Sequence, residues 1–352
     1  MTLKVGLIGC GRIALQAHLH NLTKMPDVEL IAIAEPDALR RKEAARLVPG
    51  ALAFTSYEEL LHSTEIQAVV VCLPNILHAE TTIAALNRGV HIYLEKPLAT
   101  GSNQALPVIE AWQRAGVVGM MGFNYRFNKL YQAVRAKIRS GALGNLVMVR
   151  SVFSTALKDS PQRKLSRQDG GGVLLDLAAH HVDLIRYFFD QDVNEVFAEI
   201  QSRTTAGDTA TLQMRLADGT SIQSFFSASA VEEDSFEIYG ERGKLSVDRY
   251  RSLDVRVTHS TLAGFRLKQL QQSLRSLSHT PYFLKKMRAA AHEPSYHSAL
   301  RRFVSAARSG EHLKPDFYDG YDNLNIIEAA ERSAETGCRV QVQGRPAGFS
   351  FS

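Results

Sequence analysis

The stretch that decides the fold is Leu3-Lys4-Val5-Gly6-Leu7-Ile8-Gly9-Cys10-Gly11-Arg12-Ile13-Ala14. Leu3 to Ile8 is a short run of β-forming residues. From Arg12 to Met25 the apolar spacing becomes helical. The join carries glycines at 9 and 11. Gly9 permits a tight turn, Gly11 lets backbone approach a pyrophosphate, and Ala14 allows close helix–strand packing where a third glycine often sits. The opening turn of the helix offers unpaired N–H groups and a partial positive charge to phosphates. A lone GxGxxA is weak evidence. Here it follows a strand, opens a helix, and precedes a second strand-like run, Val28 to Ala34, that ends at Glu35. Gly9, Cys10, Gly11, Arg12 and Ile13 are therefore candidate cofactor contacts, with Glu35 as a carboxylate for ribose hydroxyls. A carboxylate there repels a 2′-phosphate, which favours NAD over NADP, while Arg40 and Arg41 nearby keep NADP open.

Outward from that segment, apolar runs recur at Ala68 to Cys72, Val90 to Leu94 and Val117 to Met121, separated by helical patterns such as Ile76 to Arg88 and Ser102 to Ala115. Near-continuous apolar strands alternating with helices predict a parallel sheet buried on both faces. Residues 1–122 thus read as a doubly wound, Rossmann-like domain. Ligands of such sheets lie beyond the carboxyl ends of the strands. Leu73, Pro74 and Asn75 follow one strand end and are candidate cofactor contacts. His78, three residues on, reads equally as a cofactor contact or as a helix-start histidine. Glu95-Lys96-Pro97 follows another strand end, which aims an amine towards a bound nicotinamide; the proline biases Lys96 towards extended backbone. Asn124 and Arg126 follow the last strand of the domain and are expected to border nicotinamide or substrate.

After Gly122 the pattern changes. Phe127 to Arg139 is an amphipathic helix. Strand-like runs follow at Leu146 to Phe153, Val193 to Gln201, Thr209 to Leu216, Thr220 to Ser227, Ser235 to Tyr239 and Lys244 to Val247, with Asp218-Gly219 as a hairpin signal. Helices are expected at 295–308 and 322–336. Residues 123–352 are therefore expected to form a second α/β domain with a large, mostly antiparallel sheet. The last helix and strand are candidates to pack back on the first domain.

Gly170-Gly171-Gly172-Val173-Leu174-Leu175-Asp176-Leu177-Ala178-Ala179-His180 opens a helix that runs to about Phe189. Asp176 and His180 are four apart and share a face, with Asp183 close to the same stripe, while positions 174, 177, 178, 182, 185 and 188 form an apolar face. A neutral histidine is a good base near pH 7, and a carboxylate can orient it. The same spacing also occurs as an ordinary surface pair. His181 points elsewhere and reads as structural.

Taken in order, these segments resemble the glucose–fructose oxidoreductase / inositol dehydrogenase / MocA (Gfo/Idh/MocA) family. The resemblance rests on Gly9 to Ala14, Glu35, Pro74-Asn75 with His78, Glu95-Lys96-Pro97, Phe123 to Phe127, Gly170 to His180 and Ile326 to Ala330. It implies a Rossmann domain joined to an α/β domain whose open sheet often forms dimers or tetramers. It also implies that His180 acts as general base and Lys96 assists on a sugar or cyclitol alcohol, with Asp176 binding substrate or orienting His180. Lys96, Arg126, Asp176 and His180 are the candidate substrate contacts. Ala178, where the family commonly has glycine, is a mild departure. An NAD-dependent glycosidase and a non-catalytic regulator occur on the same fold; retention of Lys96, Asp176 and His180 argues against the regulator.

Composition narrows the rest. No apolar run approaches the ~20 residues a membrane helix needs. The first strand begins too soon after Met1 for a signal peptide, so a cytoplasmic protein is expected. Three dispersed cysteines, Cys10, Cys72 and Cys338, make a disulfide framework or metal site unexpected. A net charge of +5 is too mild to argue for nucleic acid. Residues 155–170 are polar and turn-rich and are expected to form a loop at the mouth of the site. Residues 261–292 contain Arg266, Lys268, Arg275, Lys285, Lys286 and Arg288 and no acid, reading as a basic amphipathic helix. Such a helix suits a phosphate-bearing substrate, an acidic partner or a membrane surface, or simply covers sheet or builds a subunit interface.

Overall fold

The computed structural model describes residues 2–63, 65–156, 167, 170–259, 286–288, 293–346 and 348. Most of the 155–170 segment and of the basic stretch 261–292 lies outside the described residues. The chain forms two units: Met1–Phe127 with Ala289–Leu324, and Asn128–Arg288 with Asn325–Ser352. The first unit is thus discontinuous in sequence, unlike a single cut after residue 122. Its returning piece includes the helix Ser295–Ser309, while the final strand belongs to the second unit.

The first unit holds six parallel strands: β1 (Leu3–Ile8), β2 (Val28–Ala34), β3 (Leu52–Phe54), β4 (Ala68–Val71), β5 (His91–Leu94) and β6 (Gly119–Met121), in the order β3-β2-β1-β4-β5-β6. This is the doubly wound order, with its switch point between β1 and β4. All four residues of β4 are buried, as a strand covered on both faces requires. Leu7, Ile33, Val70, Tyr93 and Met120 share one core with Leu300, Phe303 and Val304 of the helix Ser295–Ser309. The edge strand β3 was not foreseen: it is short and Leu52 is exposed, so it lacks a buried apolar run.

The second unit holds β7 (Leu146–Ala156), β8 (Val193–Gln201), β9 (Thr209–Leu216), β10 (Ser221–Ser227), β11 (Ser229–Gly240), β12 (Gly243–Asp248), β13 (Arg256–His259) and β14 (Val340–Gln341), ordered β13-β12-β11-β7-β10-β9-β8-β14. Neighbours are antiparallel except β7 with β10. The expected hairpin joins β9 to β10: Gly219 has φ +88°, and the Asp218 carboxylate accepts from Thr220 N–H at 2.8 Å. The strand β11 begins earlier than Ser235 because β7 offers partners as far as Ala156, across a bulge between Ser229 and Glu233. The helix expected from Phe127 spans Lys129–Arg139, because Asn128 stays extended and its side chain caps Leu130 N–H.

One sheet face carries the core. Phe236 meets Tyr131 of the helix Lys129–Arg139 and Phe188 of the helix Ala179–Phe189, at 5.8 and 5.2 Å between ring centroids. Within this apolar layer lies Asp234, fully buried, which accepts from Arg249 Nε at 2.6 Å, His181 Nε2 at 3.1 Å and the Tyr131 hydroxyl. Burial opposes its ionisation, but Arg249, His181 and Tyr131 together outweigh burial and hold the carboxyl well below the usual range. A carboxyl depressed on folding stabilises above its unfolded pKa and loses that contribution as pH falls. Asp234→Ala leaves Arg249 uncompensated and should cost about 3–5 kcal/mol at pH 7 by urea unfolding. The deficit relative to wild type should shrink below about pH 4.

Candidate active site

In the first unit, the loops after β1, β4 and β5 build one continuous surface at the strand ends. Gly9 has φ +88°, and a Cβ there would lie 2.7 Å from the Cys72 carbonyl oxygen. Only glycine lets the two loops touch. A Cβ on Gly11 would meet nothing within 4 Å, so its backbone faces open space, as a pyrophosphate cradle requires. Arg12 is exposed and Ile13 half-buried at the start of the following turn. The Cys10 thiol is pushed up to about 12 by burial and then by the charge of Glu35. It stays protonated, so Cys10 contributes its backbone only.

Glu35 is 4% exposed. One carboxylate oxygen accepts from Cys10 N–H at 2.8 Å; the other accepts from Asp37 N–H at 3.1 Å and from Arg40 at 2.7 Å. Glu35 thus ties β2 to the glycine loop and engages Arg40, while Arg41 donates to the carbonyls of Glu35 and Pro36.

Leu73, Pro74 and Asn75 are half-buried after β4, with Asn75 opening a 3-10 turn. His78 is fully buried: Nδ1 lies 2.6 Å from the Pro97 carbonyl and Nε2 2.9 Å from that of Leu73. Burial outweighs the two carbonyls and lowers its pKa. His78 thus staples the loop after β4 to the Glu95-Lys96-Pro97 loop, as a structural helix-start histidine would. Glu95 and Lys96 are half-buried at the end of β5, and the Lys96–Pro97 peptide is cis.

Asn124 is 1% exposed and donates to Ser295 Oγ at 2.8 Å. Arg126 is 7% exposed and its guanidinium pairs with Asp319 at 3.1 Å. Both bind the chain to the returning piece of the first unit. Sequence reading also missed His18, a polar residue among the inward positions Ala14, Ala17, Leu19 and Leu22. It is fully buried with Nε2 2.7 Å from Glu95 Oε1.

In the second unit, Gly170 and Gly172 take φ of +78° and +93° and lead into a π-turn, Leu174–Ala178, before the α-helix Ala179–Phe189. The π-turn was not foreseen; such turns are frequent at functional sites. From Gly171 to Ile185, only Asp176 and His180 are half-buried and all others are buried. The pair therefore shares the one open stripe of an otherwise enclosed segment, while Asp183 is buried away from it. His180 edges Phe153 at 6.0 Å between ring centroids. His181 stacks on that same ring and faces Asp234, as a structural residue should.

These features agree with comparison to known proteins. A model of an oxidoreductase family with an NAD-binding Rossmann fold matches residues 3–123, and the GFO/IDH/MocA C-terminal domain matches residues 131–246. The chain belongs to the Gfo/Idh/MocA family of oxidoreductases. It is 27% identical to myo-inositol 2-dehydrogenase of Thermotoga maritima, over 97% of this chain and 99% of that protein. It is 26% identical to a D-xylose 1-dehydrogenase (NADP(+)) of Haloferax volcanii, over 89% and 92%. The WlbA dehydrogenase of Bordetella pertussis, solved with NADH and UDP-GlcNAcA, shares the fold with a TM-score of 0.83 and 22% identity, over 98% and 99% of the two chains. This chain is thus a nicotinamide-dinucleotide oxidoreductase. No described helix is long and apolar enough to cross a membrane, and no described group of three or more His, Cys, Asp or Glu could hold a metal.

The two glycines should separate experimentally. Gly9→Ala forces a Cβ into the Cys72 carbonyl and should lower the midpoint of thermal unfolding by several degrees, by circular dichroism. Gly11→Ala has open space, so it should fold normally yet weaken NADH binding by about tenfold or more, read by fluorescence titration.

Proposed function

We propose that this chain is an NAD-linked dehydrogenase of a secondary alcohol on a sugar, cyclitol or sugar nucleotide, with ketone reduction as the reverse. One observation carries the reading. Asp176 and His180 are the two half-buried polar residues of an enclosed, glycine-led segment, in a family chain that also keeps Lys96 just past the carboxyl end of β5, the strand next to β4. The residues present fit the dinucleotide: the open face of Gly11 suits the pyrophosphate, and Glu35 stands at the end of β2. When bound, the nicotinamide exchanges hydride with the substrate carbon.

The remaining chemistry falls to side chains. The neutral imidazole of His180 takes the alcohol proton, a contribution of about 10² to 10⁴ in rate. The Lys96 ammonium is a hydrogen-bond donor suited to stabilising negative charge that grows on a substrate oxygen. Asp176 binds substrate or fixes the orientation of His180. The half-buried apolar residues Val152, Phe197 and Phe225 on the open face of the second sheet suit a homo-oligomer contact.

The test is a panel of polyols, aldoses and sugar nucleotides, followed by absorbance of reduced nicotinamide. His180→Ala should lose turnover by about 10² or more while NADH affinity is retained; normal turnover in that variant refutes the assigned base. NAD should be preferred over NADP, because Glu35 both occupies the β2 end and neutralises Arg40. Glu35→Ala should release Arg40 and shift the ratio of kcat/KM values towards NADP by about tenfold. An unchanged ratio rejects that account of cofactor choice.

A further inference from the structure

His18 has no role in the chemistry proposed above, yet its setting is specific. The ring is fully enclosed, with Tyr93 and Tyr296 edge-on at 5.5 and 5.6 Å between centroids. Nε2 lies 2.7 Å from Glu95 Oε1, and Nδ1 has no hydrogen-bond partner among the described residues. This pattern assigns the tautomer. A proton on Nε2 is donated to the carboxylate, and Nδ1 keeps only a lone pair, which is cheaper to bury unpaired than an N–H aimed at apolar walls.

Glu95 is constrained on its other side. A Cβ at Gly122 would lie 3.0 Å from both Glu95 Cα and Glu95 Oε2, so the carboxylate packs between a histidine and a backbone at a distance that a residue without a side chain allows. Glu95 N–H is bound to the Val71 carbonyl at 3.0 Å. The side chain, 12% exposed, is thus held at the strand end directly before Lys96.

The other end of the link lies at the glycine loop. His18 closes the π-turn Ala14–His18, which begins at the end of that loop, and Leu15 N–H is bound to the Gly11 carbonyl at 3.0 Å. A short path therefore runs from Gly11 through the π-turn to the His18 ring, across one hydrogen bond to Glu95, and along the backbone to Lys96. We propose that His18 and Glu95 are a positioning pair that couples occupation of the pyrophosphate loop to the placement of the Lys96 amine. The inference rests on the dehydrogenase reading, in that Gly9 to Ile13 must receive the dinucleotide. The rival account makes His18 a packing residue of the core.

ADP-ribose separates the two, since it fills the pyrophosphate loop without a nicotinamide to cover Lys96. The full-length protein is acetylated with an N-hydroxysuccinimide ester, with and without saturating ADP-ribose, and Lys96 is followed by peptide mass spectrometry. In wild type the Lys96 rate should change by at least about fivefold on ADP-ribose binding. His18→Phe keeps the ring bulk but removes the donor, and should reduce that response below about twofold with ADP-ribose still bound. His18→Gln, which restores an N–H donor, should recover it. Glu95→Ala should abolish the response, and the double variant His18→Phe/Glu95→Ala should lose no more than either single change. If His18→Phe does not fold by circular dichroism, Glu95→Ala and His18→Gln carry the comparison. A wild-type response in His18→Phe or Glu95→Ala, or wild type that binds ADP-ribose without any response, overturns the coupling and leaves the dehydrogenase reading standing. Failure of wild type to bind ADP-ribose by calorimetry overturns that reading, and the coupling with it.

Discussion

The first unit depends on one close approach, Gly9 against the Cys72 carbonyl, where a methyl group would lie 2.7 Å from oxygen. It lets the carboxyl ends of β1 and β4 meet at the switch point of the sheet. From there the contacts run in sequence. Cys72 leads to Leu73, whose carbonyl faces His78; His78 also faces the Pro97 carbonyl, and Pro97 follows Lys96. On the other flank Cys10 N–H is held by Glu35 at the end of β2. The backbone proposed to bind phosphate and the side chain proposed to meet substrate are therefore parts of one bonded surface. Its geometry is set by a missing Cβ and a buried imidazole.

The two units solve the same problem in the same way. Each has a glycine-led segment, then a π-turn, then a buried histidine facing a carboxylate: His18 with Glu95, and His181 with Asp234. Each of these pairs adjoins a proposed reactive group, since Glu95 precedes Lys96 and His181 follows His180. A reactive side chain must stay partly open to its substrate and cannot be packed on every side. Fixing the neighbouring residue in the interior supplies rigidity that the reactive residue itself cannot have.

The parts of this architecture legible in the sequence are those written in local pattern. β1 and β2 span near-continuous apolar runs, and β8 and β9 span strand-like alternation, so all four have the bounds their patterns predict. The Asp176/His180 stripe was legible for the same reason, as the polar gap in an apolar helix. The short strand β3 was not, because an exposed edge strand has no apolar signature. Neither π-turn was legible, since one extra residue in a turn leaves composition unchanged. The partners of His78, Asn124 and Arg126 were not legible either. Position after a strand end does not reveal that each of these side chains turns inwards to a partner. Such partners are remote in sequence: Arg126 and Asp319 are 193 residues apart, and His18 and Glu95 are 77 apart. No periodicity links residues at those separations.

Those inward-turned residues also bear on the proposed preference for NAD. Arg126 could have been a strong anion ligand, but Asp319 neutralises it in the interior, and Arg40 is engaged by Glu35. Both guanidiniums are thus already paired within the first unit. An extra phosphate on the ligand would have to displace a carboxylate rather than meet a free guanidinium, and the carboxylate it would displace at Arg40 is itself bound to two backbone N–H groups. Breaking that arrangement would strip Glu35 of a charge partner while it stays 4% exposed. In the proposed preference for NAD, discrimination against the extra phosphate would come from the cost of unmaking a buried network as much as from direct repulsion.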